Sequence, residues 1–133
     1  MATAAQQNSS KAPFDIIGGR PVIKAIVERF YDLMDSDPLY SELRAMHSKD
    51  LSPMRKSLAD FLMGWMGGPR DWWDTNPGKC MMSIHKNFKI RELESKQWVD
   101  AMSIAIDEND LPENMAISLK DAFSRMARGM QNA

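Results

Sequence analysis

Proline and glycine punctuate this chain at the spacing of helices, and that punctuation constrains its fold more than any other feature. Gly18-Gly19 precede Pro21, after which Ile23, Ile26, Val27, Phe30, Leu33 and Met34 recur every three or four residues. Proline suits a first helical turn because its missing N–H is not needed there, and the spacing puts these side chains on one face. Asp37-Pro38 open a short helix with Leu39 and Leu43 on one side. Ser52-Pro53 predict another, as N-cap and first turn, with a stripe of Met54, Leu58, Phe61, Leu62 and Trp65. Gly67-Gly68-Pro69 end it. The stretch "RDWWDTNPG" reads as a loop. A helix near Ser95 to Asp107 carries Trp98, Ala101, Met102, Ala105 and Ile106; the last, from Pro112, carries Met115, Leu119, Ala122, Phe123, Met126 and Met130. No segment alternates with period two, and nothing repeats. The pattern predicts an all-α fold of about five substantial helices with short connections.

With 133 residues the chain has room for one domain and its core. The first 13 residues, "MATAAQQNSSKAP", offer little to bury and are expected to form a disordered tail ahead of a single domain over 14–133. The 17 basic and 18 acidic side chains leave a formal charge of −1, with no basic run. Neither nucleic acid nor a membrane surface is an expected partner. The polar start has no signal-peptide pattern, and no apolar stretch approaches the roughly 20 residues that span a bilayer. One cysteine rules out an internal disulfide framework and fits a reducing compartment, so the expectation is a cytoplasmic protein. Twelve methionines point to a core fitted around an irregular shape.

Residues 79–88, "KCMMSIHKNF", gather the cysteine, two methionines and one of two histidines. Three readings compete. Cys80, Met81, Met82 and His85 offer ligands that soft copper favours, but Cys80 is offset from the helical face shared by Met81, Met82 and His85, and no second cluster repeats the ligands. Zinc would lack ligands to fill its shell. The second reading is an apolar helix face with a hydrogen-bonded histidine. The third is a haem pocket, because haem iron needs one axial nitrogen and an apolar slot rather than a ligand cluster. Met81 and Met82 then pack against one face of the ring, the helix before Gly67 supplies bulk for the other, and Tyr31, Trp98 and His47 supply hydrogen-bond donors.

Taken in order, "IGG" at 17–19, "RFYDLM" at 29–34, "AMHSKDLS" at 45–52, "FLMGWMGGP" at 61–69, "HKNFKI" at 85–90 and "QWVDAM" at 97–102 resemble the group II truncated haemoglobins. The resemblance runs from about Ile17 to the last helix. It implies a shortened globin fold, a two-over-two helical sandwich around haem b, with His85 as the proximal iron ligand. It also implies that Tyr31 and Trp98 point at a bound ligand and that His47 lies at the corner beside them. Leu58 and Met54 match positions lining the ligand side. Phe61 and Phe88 match aromatics that pack on the ring, and Met81, Met82 and Ile90 complete its contacts. Trp72 and Trp73 either shield the pocket mouth or cover the loop, and Trp65 is packing. The chain departs from the family at "PGKCMMSI", where arginines that contact the haem propionates are usual; Lys79, Lys86 or Arg70 are the candidates to replace them.

The function so implied is reversible binding of O₂ and other diatomic ligands, with donors that slow release. Such a site suits nitric oxide or peroxide chemistry, with an unidentified electron donor, or ligand sensing. His47 is expected to donate to the ligand or to Tyr31 rather than to swing in as a sixth iron ligand. The alternative class is a haem-free helical interaction module, which leaves Tyr31, His47 and Trp98 without a shared purpose.

Overall fold

Gly18, at φ 113°, caps the short helix α1 (Pro13–Ile17) in the left-handed region, and Gly19 begins α2 (Arg20–Ser36). The computed structural model describes residues 11–79 and 85–133. All six apolar side chains of the α2 stripe are buried, together with Tyr31. Each such side chain contributes about 1.5–3 kcal/mol when removed from water.

A 3₁₀ turn over Pro38–Tyr40 leads into α3 (Ser41–Ala45). Leu39 and Leu43 therefore do not share a buried face: Leu39 is 64% exposed, and Tyr40 takes the interior place beside Leu43. The tighter turn shifts the phase, and the Tyr40 hydroxyl donates to Asp100 Oδ2 at 2.6 Å. Helix α4 (Ser52–Trp65) starts with Leu51, not Ser52, at the N-cap position; Asp50 Oδ1 accepts the Ser52 N–H at 3.0 Å. The expected loop after Gly68 contains a single helical turn, α5 (Asp71–Thr75). Helix α6 (Glu92–Asp107) begins earlier than its apolar stripe because Glu94 Oε1 accepts the Arg91 N–H at 2.8 Å. Helix α7 (Glu113–Met130) follows Pro112.

The described residues thus form an all-α fold with no strand. Helix α2 packs on α4 and on α6, and α6 packs on α7. These two pairs, α2 with α4 and α6 with α7, give the expected two-over-two arrangement. Their shared core includes Phe30, Met34, Leu62, Met63, Met102, Ile106, Leu119 and Phe123. Among the described residues no helix is long and apolar enough to cross a membrane.

One close approach fixes how α4 meets α5. A Cβ added to Gly64 would lie 2.4 Å from Trp73 Cδ1, so only glycine lets the indole lie against α4. Trp73 there stacks on Phe61, with ring centroids 5.0 Å apart, and its Nε1–H donates to the Phe61 carbonyl at 3.3 Å. This contact holds Phe61 and the neighbouring Trp72, 5.1 Å from Phe61, at the edge of the main cavity.

Candidate functional site

A cavity of about 510 Å³ opens between the helix pairs. Helix α2 gives it Tyr31, the α3–α4 connection gives Met46, His47 and Ser48, and α4 gives Met54, Ser57, Leu58 and Phe61. The segment after residue 84 adds His85, Phe88 and Ile90; α6 adds Glu94, Ser95 and Trp98; α7 adds Met126, Ala127 and Met130. The wall is mostly apolar, and cofactor pockets typically run from roughly 300 to 1,000 Å³ with a few placed polar groups.

The sequence-predicted residues Tyr31, His47, Met54, Leu58, Phe61, Trp72, His85, Phe88, Ile90 and Trp98 all line this one cavity. Trp72 is a wall residue, whereas Trp73 braces Phe61 from behind. Lys79 is exposed and is not part of the wall. Lys86 is likewise exposed, and the Arg70 guanidinium lies over the Trp73 ring, 5.3 Å from its centroid. Met81 and Met82, like Cys80, fall outside the described residues, so the contacts expected of them do too. Among the described residues no three His, Cys, Asp or Glu side chains converge on a point that could hold a metal ion. Trp65 stacks on Phe123 with centroids 5.6 Å apart, in keeping with a packing role.

Sequence reasoning did not assign Met126 and Met130 to the cavity. They were legible as part of the α7 stripe, and their excess over the simple core pattern at its C-terminal end was the available signal. It also missed Glu94 and Ser95, whose place in the wall follows from the early start of α6.

Tyr31 is buried, and its ring is fixed on several sides. Phe30 meets it edge-on at 4.9 Å, and the Arg55 guanidinium lies 5.8 Å from its centroid. Arg55 is held in turn by Glu28 Oε2 at 2.8 Å and Asp32 Oδ1 at 2.9 Å. Burial pushes the Tyr31 hydroxyl well above its ordinary range, against the smaller opposing effect of Arg55. The hydroxyl therefore stays protonated and is a donor. Trp98 packs edge-on between Phe30 and Phe123, at 5.6 and 5.7 Å. Among the described residues neither the Tyr31 hydroxyl nor the Trp98 indole N–H donates to a protein group.

His47 has a fixed tautomer in its neutral form. Its Nδ1 lies 2.9 Å from the Leu43 carbonyl, which can only accept, so Nδ1 carries the proton and Nε2 is bare. Burial lowers the imidazole below its ordinary value, with the nearby Arg44 and His85 adding to the effect and the Leu43 bond opposing it. The neutral ring is therefore an acceptor at Nε2, and a donor role there requires protonation. The Tyr31 and His47 rings meet edge-on with centroids 6.1 Å apart.

Glu94 brings a carboxylate to an otherwise apolar wall. It is paired with Arg91 through two guanidinium nitrogens, and the Arg91 hydrogen bonds bring its carboxyl down to about 2. It therefore stays ionised and tied to the start of α6 rather than titrating into the cavity.

Comparisons with known proteins agree with this architecture. The chain matches the family described as bacterial-like globin over residues 12–132. It is 26% identical over 124 residues to a group 2 truncated haemoglobin of Bacillus subtilis, covering 93% of this chain and 91% of that protein. Its fold is similar to that of a cold-adapted truncated haemoglobin from the Antarctic marine bacterium Pseudoalteromonas haloplanktis, with a TM-score of 0.89 and 31% identity over 92% of this chain and 99% of that one. A group II 2-on-2 haemoglobin from Agrobacterium tumefaciens also has a TM-score of 0.89, at 27% identity, covering 99% of this chain and 98% of that one.

Proposed function

Because this chain belongs to the bacterial-like globin family, as a group II truncated haemoglobin that binds haem iron and diatomic gas ligands, we propose that it holds haem b through His85 and retains O₂ through Tyr31 and Trp98. One observation carries the reading. A single mostly apolar cavity gathers two imidazoles, His85 and the Leu43-bonded His47, with two donors, Tyr31 and Trp98, that have no protein acceptor among the described residues. A haem suits those contents, since it asks for one axial nitrogen and an apolar slot. When bound, it supplies iron with a coordination position at which a diatomic ligand is taken up.

The chain's own residues do the rest. Phe61, Leu58 and Met54 exclude water from the ligand's side of the cavity and leave few competing hydrogen-bond partners. The Tyr31 O–H and Trp98 N–H then donate to the ligand; each hydrogen bond is worth about 0.5–1.5 kcal/mol. The neutral His47 ring has no proton at Nε2 to give, so it packs edge-on against Tyr31 and leaves the Tyr31 O–H to the ligand. Two donors on rigid helices favour slow release, which suits ligand chemistry or sensing more than bulk transport. Nitric oxide dioxygenation and peroxide turnover both need an external electron donor, and a reducing cytoplasm is the compartment a lone cysteine fits.

A visible absorption spectrum of the purified protein is the first test. A haem spectrum that disappears or becomes imidazole-dependent in His85→Ala supports the assignment. Stoichiometric haem with an unchanged ferrous spectrum in that variant overturns it.

A further inference from the structure

Between His85 and the start of α6 the chain runs through residues 86–91 outside any long helix, and this segment places the proposed proximal histidine. Its two ends are tied locally. The Phe88 N–H donates to the His85 carbonyl at 3.0 Å, and the Arg91 N–H donates to Glu94 at 2.8 Å. The middle depends on residues more than 40 positions away. Asn132 Oδ1 accepts the Ile90 N–H at 2.8 Å, and Asn132 Nδ2 donates to the Phe88 carbonyl at 2.7 Å. The backbone N–H groups of Asn132 and Ala133 both donate to the Ile90 carbonyl, at 2.9 and 3.1 Å. The amide orientation follows from the partners, because an N–H can only donate and a carbonyl only accept.

We propose that Asn132 is a positioning residue for His85. Its side chain and backbone clasp Phe88 and Ile90, and so fix how the imidazole is presented to haem iron. Ile90 is 7% exposed and lines the cavity, so Asn132 satisfies the N–H of a largely buried residue. No other residue in the chain makes side-chain bonds to both Phe88 and Ile90 among those described. Asn132 lies two residues past the end of α7, whose Met126 and Met130 line the same cavity. The clasp thereby couples the end of α7 to the segment that carries His85. The inference rests on the proposed role of His85 as iron ligand.

The test uses the haem-loaded protein and two variants. Asn132→Ala removes both side-chain bonds. Asn132→Asp keeps an acceptor for Ile90 but sets a carboxylate oxygen against the Phe88 carbonyl. Three readouts are taken: amide exchange of Ile90, the iron–histidine vibration in the ferrous ligand-free state, and the rate of haem transfer to an acceptor protein. For Asn132→Ala the expected results are roughly tenfold less protection of the Ile90 amide, a shifted iron–histidine band and haem release faster by roughly 5- to 30-fold. Asn132→Asp should shift the band and speed release while protecting Ile90 better than Asn132→Ala does. A urea midpoint near that of the parent separates these effects from general unfolding. An iron–histidine band present in the parent and unmoved in both variants overturns the proposal alone. A parent with haem but no such band overturns the histidine assignment and the proposal together.

Discussion

The two sides of the cavity are built in different ways. Tyr31, Leu58, Phe61 and Trp98 project from long helices packed into the core, and neighbouring rings, with the Arg55–Asp32 pair beside Tyr31, brace them on the side away from the cavity. His85, Phe88 and Ile90 belong to a connection that, among the described residues, is tied by hydrogen bonds at its ends and by Asn132 in its middle. Packing by many small contacts degrades gradually, whereas a clasp of few bonds fails at identifiable atoms. The lesson is that the proposed ligand side is set by helix packing, and the side carrying His85, the proposed iron ligand, by a few specific hydrogen bonds. That division allows the two sides to be perturbed separately.

The largest effect is expected on the fastened side. His85→Ala should abolish stoichiometric haem binding, or make it depend on added imidazole, as read from the absorption spectrum and the haem-to-protein ratio. The helical side breaks next at Gly64. Gly64→Ala should cost about 1–3 kcal/mol in urea unfolding, because overpacking forces Trp73 off Phe61. If stability holds and Trp72 and Phe61 do not move in the variant's structure, the bracing role assigned to Trp73 is wrong.

Smaller effects sharpen the comparison without disturbing the fold. Tyr31→Phe and Trp98→Phe should each speed O₂ dissociation by roughly 2- to 10-fold, the worth of one hydrogen bond. The double variant should fall short of the product, since both donors share one acceptor. Stopped-flow displacement measures all three, and unchanged rates in every one refute the donor assignment.

The smallest expected effect is that of pH on His47. Burial holds its folded value below the ordinary 6.5, so the native state takes up its proton later than the unfolded chain does. The neutral ring's contribution to stability is therefore complete above pH 6.5 and is lost as pH falls through the lowered value. Over the same range Nε2 gains a proton and becomes a donor, so O₂ release should slow as pH drops below 6.5 in the parent but not in His47→Phe. A low-spin bis-imidazole ferric spectrum at neutral pH that vanishes on His47→Phe assigns the ring to iron instead.

The helical side was also the more legible from sequence. The α2 stripe and the Gly67-Gly68-Pro69 stop read directly, because each is a local property of consecutive residues. Tyr31 and Trp98 stand on such stripes; their polar tips made them candidate donors, and the family resemblance gave them the weight that set them apart from ordinary core. Helix α5 was misread as a loop because five residues are too few to display a period. Leu39 does not share the side of Leu43 that its spacing predicts, because a 3₁₀ turn breaks the helical phase that the spacing assumes. Asn132 was invisible for a different reason: its partners, Phe88 and Ile90, are 44 and 42 positions away, and a polar residue near a chain end carries no local mark of a distant bond.

The contact between Gly64 and Trp73 also bears on how this sequence can drift. Neither position is free by itself: any side chain at 64 collides with the indole, and a smaller residue at 73 leaves Phe61 unsupported. A substitution at 64 is better tolerated in a background where 73 has already shrunk, so the order in which the two changes arise decides how much stability the intermediate gives up. Such a pair acts as a ratchet on divergence, confining neutral change on this side of the molecule to routes that pass through residue 73 first.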